Sequence, residues 1–159
     1  MKEAFADNDV FVKKWVEESS GFEQVTLSTL QSDLVGKKKS AVLNAHTKGA
    51  YNSTQFNATW RRSMIRRVIS DWARCLDRLI DADIVGCHWL TPERFPESVV
   101  TPFFGGNFWW ARSDYLNRLP PIRNRTRYDA EHWIGLGNPK AWDLLPGWPA
   151  KRLFRSPIF

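Results

Sequence analysis

Cysteine is scarce in this chain of 159 residues, which contains only Cys75 and Cys87. Cys75 falls within a helical pattern and Cys87 within a strand pattern, so we interpret both as small residues of the core. Two such residues do not make the disulfide framework that stabilises many small secreted domains. The sequence therefore predicts a protein of a reducing compartment.

Long apolar segments are also missing. Residues 1–7 lack the apolar run of a secretory signal peptide, and no later segment approaches the roughly 20 apolar residues that a membrane-spanning helix needs. We therefore expect a cytoplasmic protein without a membrane span. The length is also insufficient for two ordinary domains, so a single domain over residues 1–159 is expected.

Tryptophan and positive charge are abundant. The chain has nine tryptophans, and 23 lysines and arginines against 17 acidic residues give a net charge of +6. A surplus of tryptophan often lines a groove on which sugars or bases stack, although a structural use in the core is the alternative. The charge favours an anionic partner such as a nucleotide diphosphate, a nucleic acid or an acidic membrane face.

Apolar periodicity predicts alternating helices and strands, which indicates an α/β domain. Helices are expected within residues 1–22, from Thr26 as N-cap to Gly36, over residues 57–80, from Ser113 as cap, and from Asp129. Strands are expected over residues 41–45, 83–89 and 108–111. The tail over residues 143–159 is rich in proline and is expected to be irregular.

The predicted helix over residues 57–80 has two faces. Trp60, Met64, Ile65, Val68, Trp72, Cys75, Leu76 and Leu79 recur at helical spacing on the apolar face. The opposite face carries Arg61, Arg62, Arg66, Arg67, Arg74 and Arg78. Six arginines could follow a phosphate backbone, but we favour a solvated face. We single out Arg61, which we expect in the first helical turn, where it could bind an anion.

The segment from Phe103 to Trp110 combines two glycines, one asparagine and four aromatic residues. Gly105 and Gly106 permit a turn or a close approach of the backbone to a ligand, and Asn107 lies at the start of the strand that follows. One interpretation is a buried strand entered through a glycine turn. The other is the wall of a binding site.

Two acidic motifs are candidate sites. Asp81 and Asp83 form an Asp-x-Asp pattern, but they precede a strand rather than follow it, so we reject them as a metal site. In the last predicted helix, Asp129 and Glu131 are candidate general bases. They point nearly opposite ways because they are two residues apart, whereas Asp129 and His132 share a face. The structural alternative makes Asp129 a helix cap and Glu131 a surface residue.

Four segments in this order resemble a family of microbial glycosyltransferase-like proteins. They are Val42 to Gly49, which ends in His-Thr-Lys-Gly, Trp60 to Met64, Gly105 to Ala111, which includes Gly-Asn-Phe-Trp-Trp-Ala, and Tyr128 to Gly135. The family is related to the proteins that build capsular polysaccharide and rhamnan chains. Each segment alone is a weak signal, but four in order are a strong one, and the similarity covers residues 23–138.

The resemblance implies a fold of the GT-A kind, a single domain in which a mostly parallel, Rossmann-like sheet is flanked by helices. It implies a hexosyltransferase-like enzyme that moves a sugar from a sugar nucleotide to a hydroxyl acceptor, either a polysaccharide or a modified DNA base. The acceptor hydroxyl would lose its proton to Glu131 or Asp129. The donor and its diphosphate would be bound by His46, Thr47, Lys48, Gly49 and Arg61. The sugar or the acceptor would be held by Gly106, Asn107, Trp109 and Trp110.

The chain also departs from the family pattern. No carboxylate stands at residues 46–48, where the fold usually binds Mn²⁺ or Mg²⁺, so the sequence assigns no metal ligand. Lys48 and Arg61 would then stabilise the leaving diphosphate in place of a metal ion. The chain has fewer residues before Glu23 than members of the family do. This predicts that the part of the donor site that binds the nucleoside is incomplete. The N-terminal helix, another chain or loss of transferase activity would account for this. The alternative function is a non-catalytic module that binds nucleic acid or carbohydrate.

Overall fold

A computed structural model of the chain describes residues 23–36, 39–46, 54–123, 126 and 128–146. The helix predicted within residues 1–22 and the tail beyond residue 146 lie outside these residues. The helices are α1 (Glu23–Leu34), α2 (Gln55–Met64), α3 (Trp72–Leu79), α4 (Ser113–Leu116) and α5 (Asp129–Trp133). The strands are β1 (Ala41–Asn44), β2 (Ile84–Gly86), β3 (Trp89–Leu90), β4 (Phe103–Phe104), β5 (Trp109–Arg112) and β6 (Ala141–Asp143).

The main sheet has four strands in the order β1, β5, β2, β6. Strand β5 is antiparallel to both of its neighbours, while β2 and β6 are parallel. Strands β3 and β4 pair separately as an antiparallel ribbon. The prediction of an α/β domain is confirmed, but the prediction of a mostly parallel, Rossmann-like sheet is wrong.

The direction of β5 follows from the path of the chain between β2 and β5. The ribbon of β3 and β4 turns the chain back toward the carboxyl end of β2, where the amide of Gly105 donates to the carbonyl of His88 over 3.0 Å. Strand β5 therefore starts beside the end of β2, with Trp109 opposite Gly86. A parallel neighbour would instead need a crossover to the opposite end of β2.

The helix predicted over residues 57–80 is divided. Thr54 caps α2, and its hydroxyl accepts the amide of Asn57 over 3.1 Å. A π-helical segment, Ile65–Ser70, joins α2 to α3, and the amide of Asp71 donates to the carbonyl five residues earlier. Trp72 is 54% exposed and Ile65 is 38% exposed, although both were predicted on the apolar face. Cys75 and Leu79, which follow the break at Asp71, are buried as predicted.

Other boundaries differ from prediction in smaller ways. Helix α1 begins at Glu23 rather than after a cap at Thr26, and it ends before Gly36, whose φ of 71° matches the expected stop. Ser113 is the first residue of α4 rather than its cap, and its hydroxyl accepts the amide of Ser40. The tail predicted as irregular from residue 143 overlaps β6, which forms because it pairs with β2.

The core lies on both faces of the main sheet. On one face, Trp109 packs with residues of α1, α4 and α5, which include Leu27, Tyr115 and Trp133. On the other face, Trp110 packs against the helical segment of residues 55–79, and its indole donates to the carbonyl of Val68 over 2.7 Å. Adjacent residues of a strand point to opposite faces, so Trp109 and Trp110 serve two different parts of the core.

Candidate functional site

The carboxyl end of β1 meets the glycine turn that precedes β5. Pairing of the two strands places Asn44 opposite Trp109. The side-chain amide of Asn44 donates to the carbonyl of Asn107 over 2.8 Å, and Nε2 of His46 lies 2.8 Å from the carbonyl of Gly106. Two segments that are about 60 residues apart in the sequence are thus joined by direct hydrogen bonds.

Asn107 is the centre of this contact. Its φ is 56°, in the left-handed region that asparagine tolerates better than most residues, and it is 1% exposed. Its Oδ1 accepts the indole N–H of Trp109 over 2.7 Å, and its Nδ2 donates to Oε2 of Glu23 over 2.6 Å. Both ends of the amide are therefore used inside the protein. The glycine-turn network consists of Glu23, Asn44, His46, Gly106, Asn107 and Trp109.

Glu23 and Asn44 are the members of this network that were not predicted as site residues, and Glu23 is the one with a charge. Its Oε1 lies 3.2 Å from Nδ1 of His46, and its side chain is 34% exposed. The two nitrogens of the His46 ring thus lie close to two acceptors, Nδ1 to the carboxylate of Glu23 and Nε2 to the carbonyl of Gly106. The local pattern gave no signal for this role, because an acidic residue in a first helical turn is expected for the helix dipole alone.

Gly106 is required by packing. Its φ is 96°, and an added Cβ would lie 2.6 Å from the sulfur of Met64 and 3.3 Å from the ring of Trp60. The backbone of the turn therefore approaches α2 closely. The backbone at Gly106 thus makes the close approach that its sequence suggested, but to helix α2. The glycine turn lies between α2 on one side and the residues of the network on the other.

The acidic start of α5 lies beside the start of α1. The side-chain amide of Gln24 donates to the carbonyl of Thr126 over 2.5 Å, and Oδ2 of Asp129 accepts the amide of Thr126 over 2.9 Å. Helix α1 packs on α5. The start of α5 is thus linked to the glycine-turn network through neighbouring residues of α1, Glu23 and Gln24. Glu131 is partly exposed in the first turn of α5.

His132, on the same helix, is turned toward the core. Its ring contacts that of Phe103 with 4.9 Å between centroids. Burial lowers its pKa, while the nearby carboxylates of Glu131 and Asp129 act in the opposite direction. The neutral imidazole is therefore favoured, and its contact with Phe103 is an apolar one.

The structure corrects the expected positions of Arg61 and Trp110. Arg61 lies in the last turn of α2 rather than the first, so its predicted place at the start of the helix is wrong. Trp110 points to the opposite face of the sheet from Trp109. Thr47, Lys48 and Gly49 lie outside the described residues.

A second polar cluster lies at the carboxyl ends of β2 and β6. The carboxylate of Asp143 accepts the amides of His88 and Leu145 through Oδ1, each over 2.9 Å, and that of Trp89 through Oδ2 over 3.0 Å. His88 has a φ of 62° and is 3% exposed. Burial lowers its pKa to about 4, against the opposing charge of Asp143, so its ring is neutral at pH 7. Sequence reasoning missed this cluster, because β6 was not predicted.

The Asp-x-Asp pattern has a structural role. Asp83 accepts the amide of Lys140 over 2.9 Å, and its Oδ1 pairs with Arg112 at 3.6 Å and with Arg118 at 3.5 Å. Arg112 in turn pairs with Asp114 at 3.0 Å. Within the described ranges, no group of three His, Cys, Asp or Glu side chains is arranged to hold a metal ion.

The two cysteines are free and buried, as predicted. Burial raises the pKa of Cys75 to about 11 and that of Cys87 to about 12. Both thiols are therefore protonated at pH 7 and act as apolar core residues. In the part of the chain that the structure describes, no helix has the length and apolar character needed to cross a membrane.

A family model for a domain of unknown function, DUF8361, matches residues 2–125. The chain belongs to this family. The DUF8361 match includes every residue of the glycine-turn network and the helices α1 to α4, and it ends before α5 and β6. No curated protein and no solved structure matches the chain.

Proposed function

We propose that the protein is a glycosyltransferase that moves a sugar from a sugar nucleotide to a hydroxyl acceptor. The observation that carries the proposal is the hydrogen-bonded junction between the carboxyl end of β1 and the glycine turn. The sequence resemblance assigns the donor to residues 46–49 and the acceptor to the glycine turn. In the structure, the last described residue of the first segment, His46, bonds to the second.

The geometry refines the roles of several residues. Asn107 and Trp109 are buried and bonded to each other, so we assign them to holding the turn rather than to contacting the sugar. His46 lies at the surface end of the network, with 23% of its side chain exposed. Lys48, two residues farther along the chain, would stabilise the charge of the diphosphate as it leaves.

In the proposed reaction, the acceptor hydroxyl oxygen forms a bond to the anomeric carbon of the sugar. The bond from that carbon to the diphosphate oxygen breaks, and the nucleoside diphosphate leaves with the bonding electrons. The hydroxyl proton passes to a general base. Glu131 and Asp129, both in the first turn of α5, are the candidates for this base, and we take Glu131 as the first to test.

The test is hydrolysis or transfer with a panel of UDP, GDP and dTDP sugars, measured as released nucleoside diphosphate. A general base contributes about 10² to 10⁴ in rate, so Glu131→Gln is expected to lower turnover by at least about 100-fold. Glu97→Gln is the matched control, because Glu97 is exposed and belongs to no proposed site. Lys48→Ala is compared in the same way with Lys39→Ala, whose side chain is 88% exposed.

Two results would overturn the proposal. Absence of turnover on the whole panel, together with absence of nucleotide binding in calorimetry, would remove the sugar-nucleotide site. Glycan binding without turnover would instead assign the protein to the non-catalytic carbohydrate binders. Equal rates for Glu131→Gln and Glu97→Gln would keep the reaction and remove Glu131 as its base.

A further inference from the structure

Trp142 is exposed although its strand belongs to the main sheet. It lies in β6, the last strand in the order β1, β5, β2, β6, so no further strand of the described chain flanks it. Trp142 stands opposite Val85 of β2, and Val85 packs with residues of α3, so the indole lies on the face of the sheet that α3 covers. At this edge, 38% of its surface is exposed.

An arginine of α3 contacts this indole. Cζ of Arg78 lies 4.2 Å from the centroid of the Trp142 ring. A guanidinium over an indole is attracted by the negative face of the ring, and its N–H groups still point outward in its own plane, where they can donate to an anion. Because α3 is packed on β2 and β5, the contact also fixes the position of the indole at the edge of the sheet.

Arg74 belongs to the same surface. Arg74 and Arg78 both lie in α3 and are four residues apart, so they are neighbours on one side of the helix at successive turns. Arg74 is exposed, and Arg78 is partly exposed. We call Arg74, Arg78 and Trp142 the α3–β6 surface. Its members are joined by one direct contact and by the geometry of a single helix.

The two arginines are not neutralised by ion pairs. Among the described residues, no carboxylate pairs with Arg74 or Arg78, although Asp77 lies between them in the sequence. By contrast, Arg118 pairs with Asp83 at 3.5 Å. The guanidinium groups of the α3–β6 surface are therefore available to an external anion.

We propose that the α3–β6 surface binds single-stranded nucleic acid, with an unpaired base stacked on the indole of Trp142 and adjacent phosphates on Arg74 and Arg78. A guanidinium binds a phosphate through two hydrogen bonds, and every cation of α3 is an arginine. Proteins that bind single strands without sequence preference combine such a basic surface with aromatic side chains on which bases stack. The net charge of +6 favours the approach of this polyanion.

The indole favours a nucleic acid over an acidic peptide or a membrane. Carboxylates would bind the two arginines equally well, but aspartate and glutamate have no flat ring to stack on an indole. A helix that lies on a membrane turns a continuous apolar face toward the lipid, whereas the apolar side of α3, with Cys75 and Leu79, is buried in the core. The base must be unpaired, because a base inside a duplex is covered by its stacked neighbours.

The test is fluorescence anisotropy of the full chain with a labelled 20-nucleotide strand, as DNA and as RNA, at several salt concentrations. Arg74→Glu combined with Arg78→Glu is expected to weaken binding at least about tenfold, and the loss of two phosphate contacts should lower the log–log salt slope by about 1.4. Trp142→Ala is expected to weaken binding at least about fivefold, and Trp142→Phe by less, because phenylalanine retains a ring. On a strand of abasic sites, which keeps the phosphates, Trp142→Ala should not change the affinity.

The matched control is Arg62→Glu combined with Arg66→Glu. These exposed arginines are also four residues apart, on the helical segment before the break at Asp71, and the control makes the same change of charge outside the α3–β6 surface. It is expected to retain most of the affinity. Equal losses in the two double variants would show that net charge alone binds the strand and would overturn the proposal.

Other results would overturn it as well. They are the absence of binding by the wild type, an unchanged affinity of Trp142→Ala for the ordinary strand, an equal loss on the abasic strand, and tighter binding of duplex DNA, polyglutamate or phosphatidylserine vesicles. Arg78→Glu also removes the contact with the indole, so Arg74→Glu is measured alone and should weaken binding about threefold. Thermal unfolding by circular dichroism verifies that each variant is folded, and none of these outcomes depends on sugar transfer.

Discussion

Replacement of Asn107 by alanine should reveal how strongly the glycine-turn network stabilises the fold. The substitution removes the acceptor for the indole N–H of Trp109, which is 0% exposed, and the donor to the carboxylate of Glu23. An unsatisfied buried donor costs about 1–3 kcal/mol, and a hydrogen bond to a charged group contributes about 1.5–3 kcal/mol. Because the two losses overlap in one network, we expect a decrease of about 3–5 kcal/mol in the free energy of unfolding.

The backbone adds a separable contribution. At a φ of 56°, alanine is strained by about 1–2 kcal/mol, whereas glycine is not. Asn107→Gly should therefore be more stable than Asn107→Ala by about 1 kcal/mol, although it lacks the same hydrogen bonds. Asn107→Asp keeps the acceptor for Trp109 but places a second carboxylate against Glu23, so it should be less stable than the wild type at pH 7.

Equilibrium unfolding in urea, followed by tryptophan fluorescence, measures these differences. A loss below about 1 kcal/mol in Asn107→Ala would refute the reasoning, because an unsatisfied indole N–H alone should exceed it. A variant Asn107→Gly that is less stable than Asn107→Ala would refute the backbone argument. The control is Asn117→Ala, which removes an exposed amide that donates to the carbonyl of Leu34 at 3.4 Å and should change stability by less than about 1 kcal/mol.

Two further predictions concern a buried histidine and the glycines. The pKa of His88 is about 4 in the folded chain against 6.5 for the free side chain, so the unfolded chain binds a proton first as the pH falls. The free energy of unfolding should therefore drop by about 3 kcal/mol between pH 6.5 and pH 4 because of this residue. Urea unfolding of His88→Asn should lack that part of the pH dependence. If the free energies of unfolding of the variant and the wild type fell in parallel with pH, the prediction would be contradicted. Gly135→Ala would place a Cβ 1.8 Å from the carbonyl oxygen of Pro102 and should lower stability by about 3 kcal/mol or more. The Cβ of Gly36→Ala meets nothing within 4 Å, so this variant should lose only about 1 kcal/mol, because of its positive φ. Similar melting temperatures for the two variants would contradict the packing argument.

Local patterns predicted the elements that are determined by local sequence. The strand predicted over residues 41–45 contains β1, the strand predicted over residues 83–89 contains β2, and the helix predicted to begin at Asp129 is α5. Gly36 ends α1 as predicted, because only its left-handed backbone closes that helix. These features depend on residues within one or two turns of each other, so their signal is present in short windows of the sequence.

Features that depend on distant contacts could not be predicted in this way. The direction of β5 is set where the amide of Gly105 bonds to His88, and β6 is a strand because β2 lies beside it. The role of Glu23 appears only when α1 is placed against the turn that holds Asn107. The π segment leaves the helical pattern of apolar residues almost unchanged in the sequence, so the pattern gave no signal for it.

The position of β6 bears on how the protein is made. Strand β2 is synthesised well before its parallel partner β6. The carboxylate that accepts the backbone amides just after β2 belongs to Asp143, the last residue of β6. Trp133 and Ile134, which fill the largest cluster of buried side chains, are likewise synthesised late. The nascent polypeptide therefore carries an unpaired edge of β2 until residue 143 is made and uncovered apolar surface until residue 134 is made, a state that is prone to aggregation.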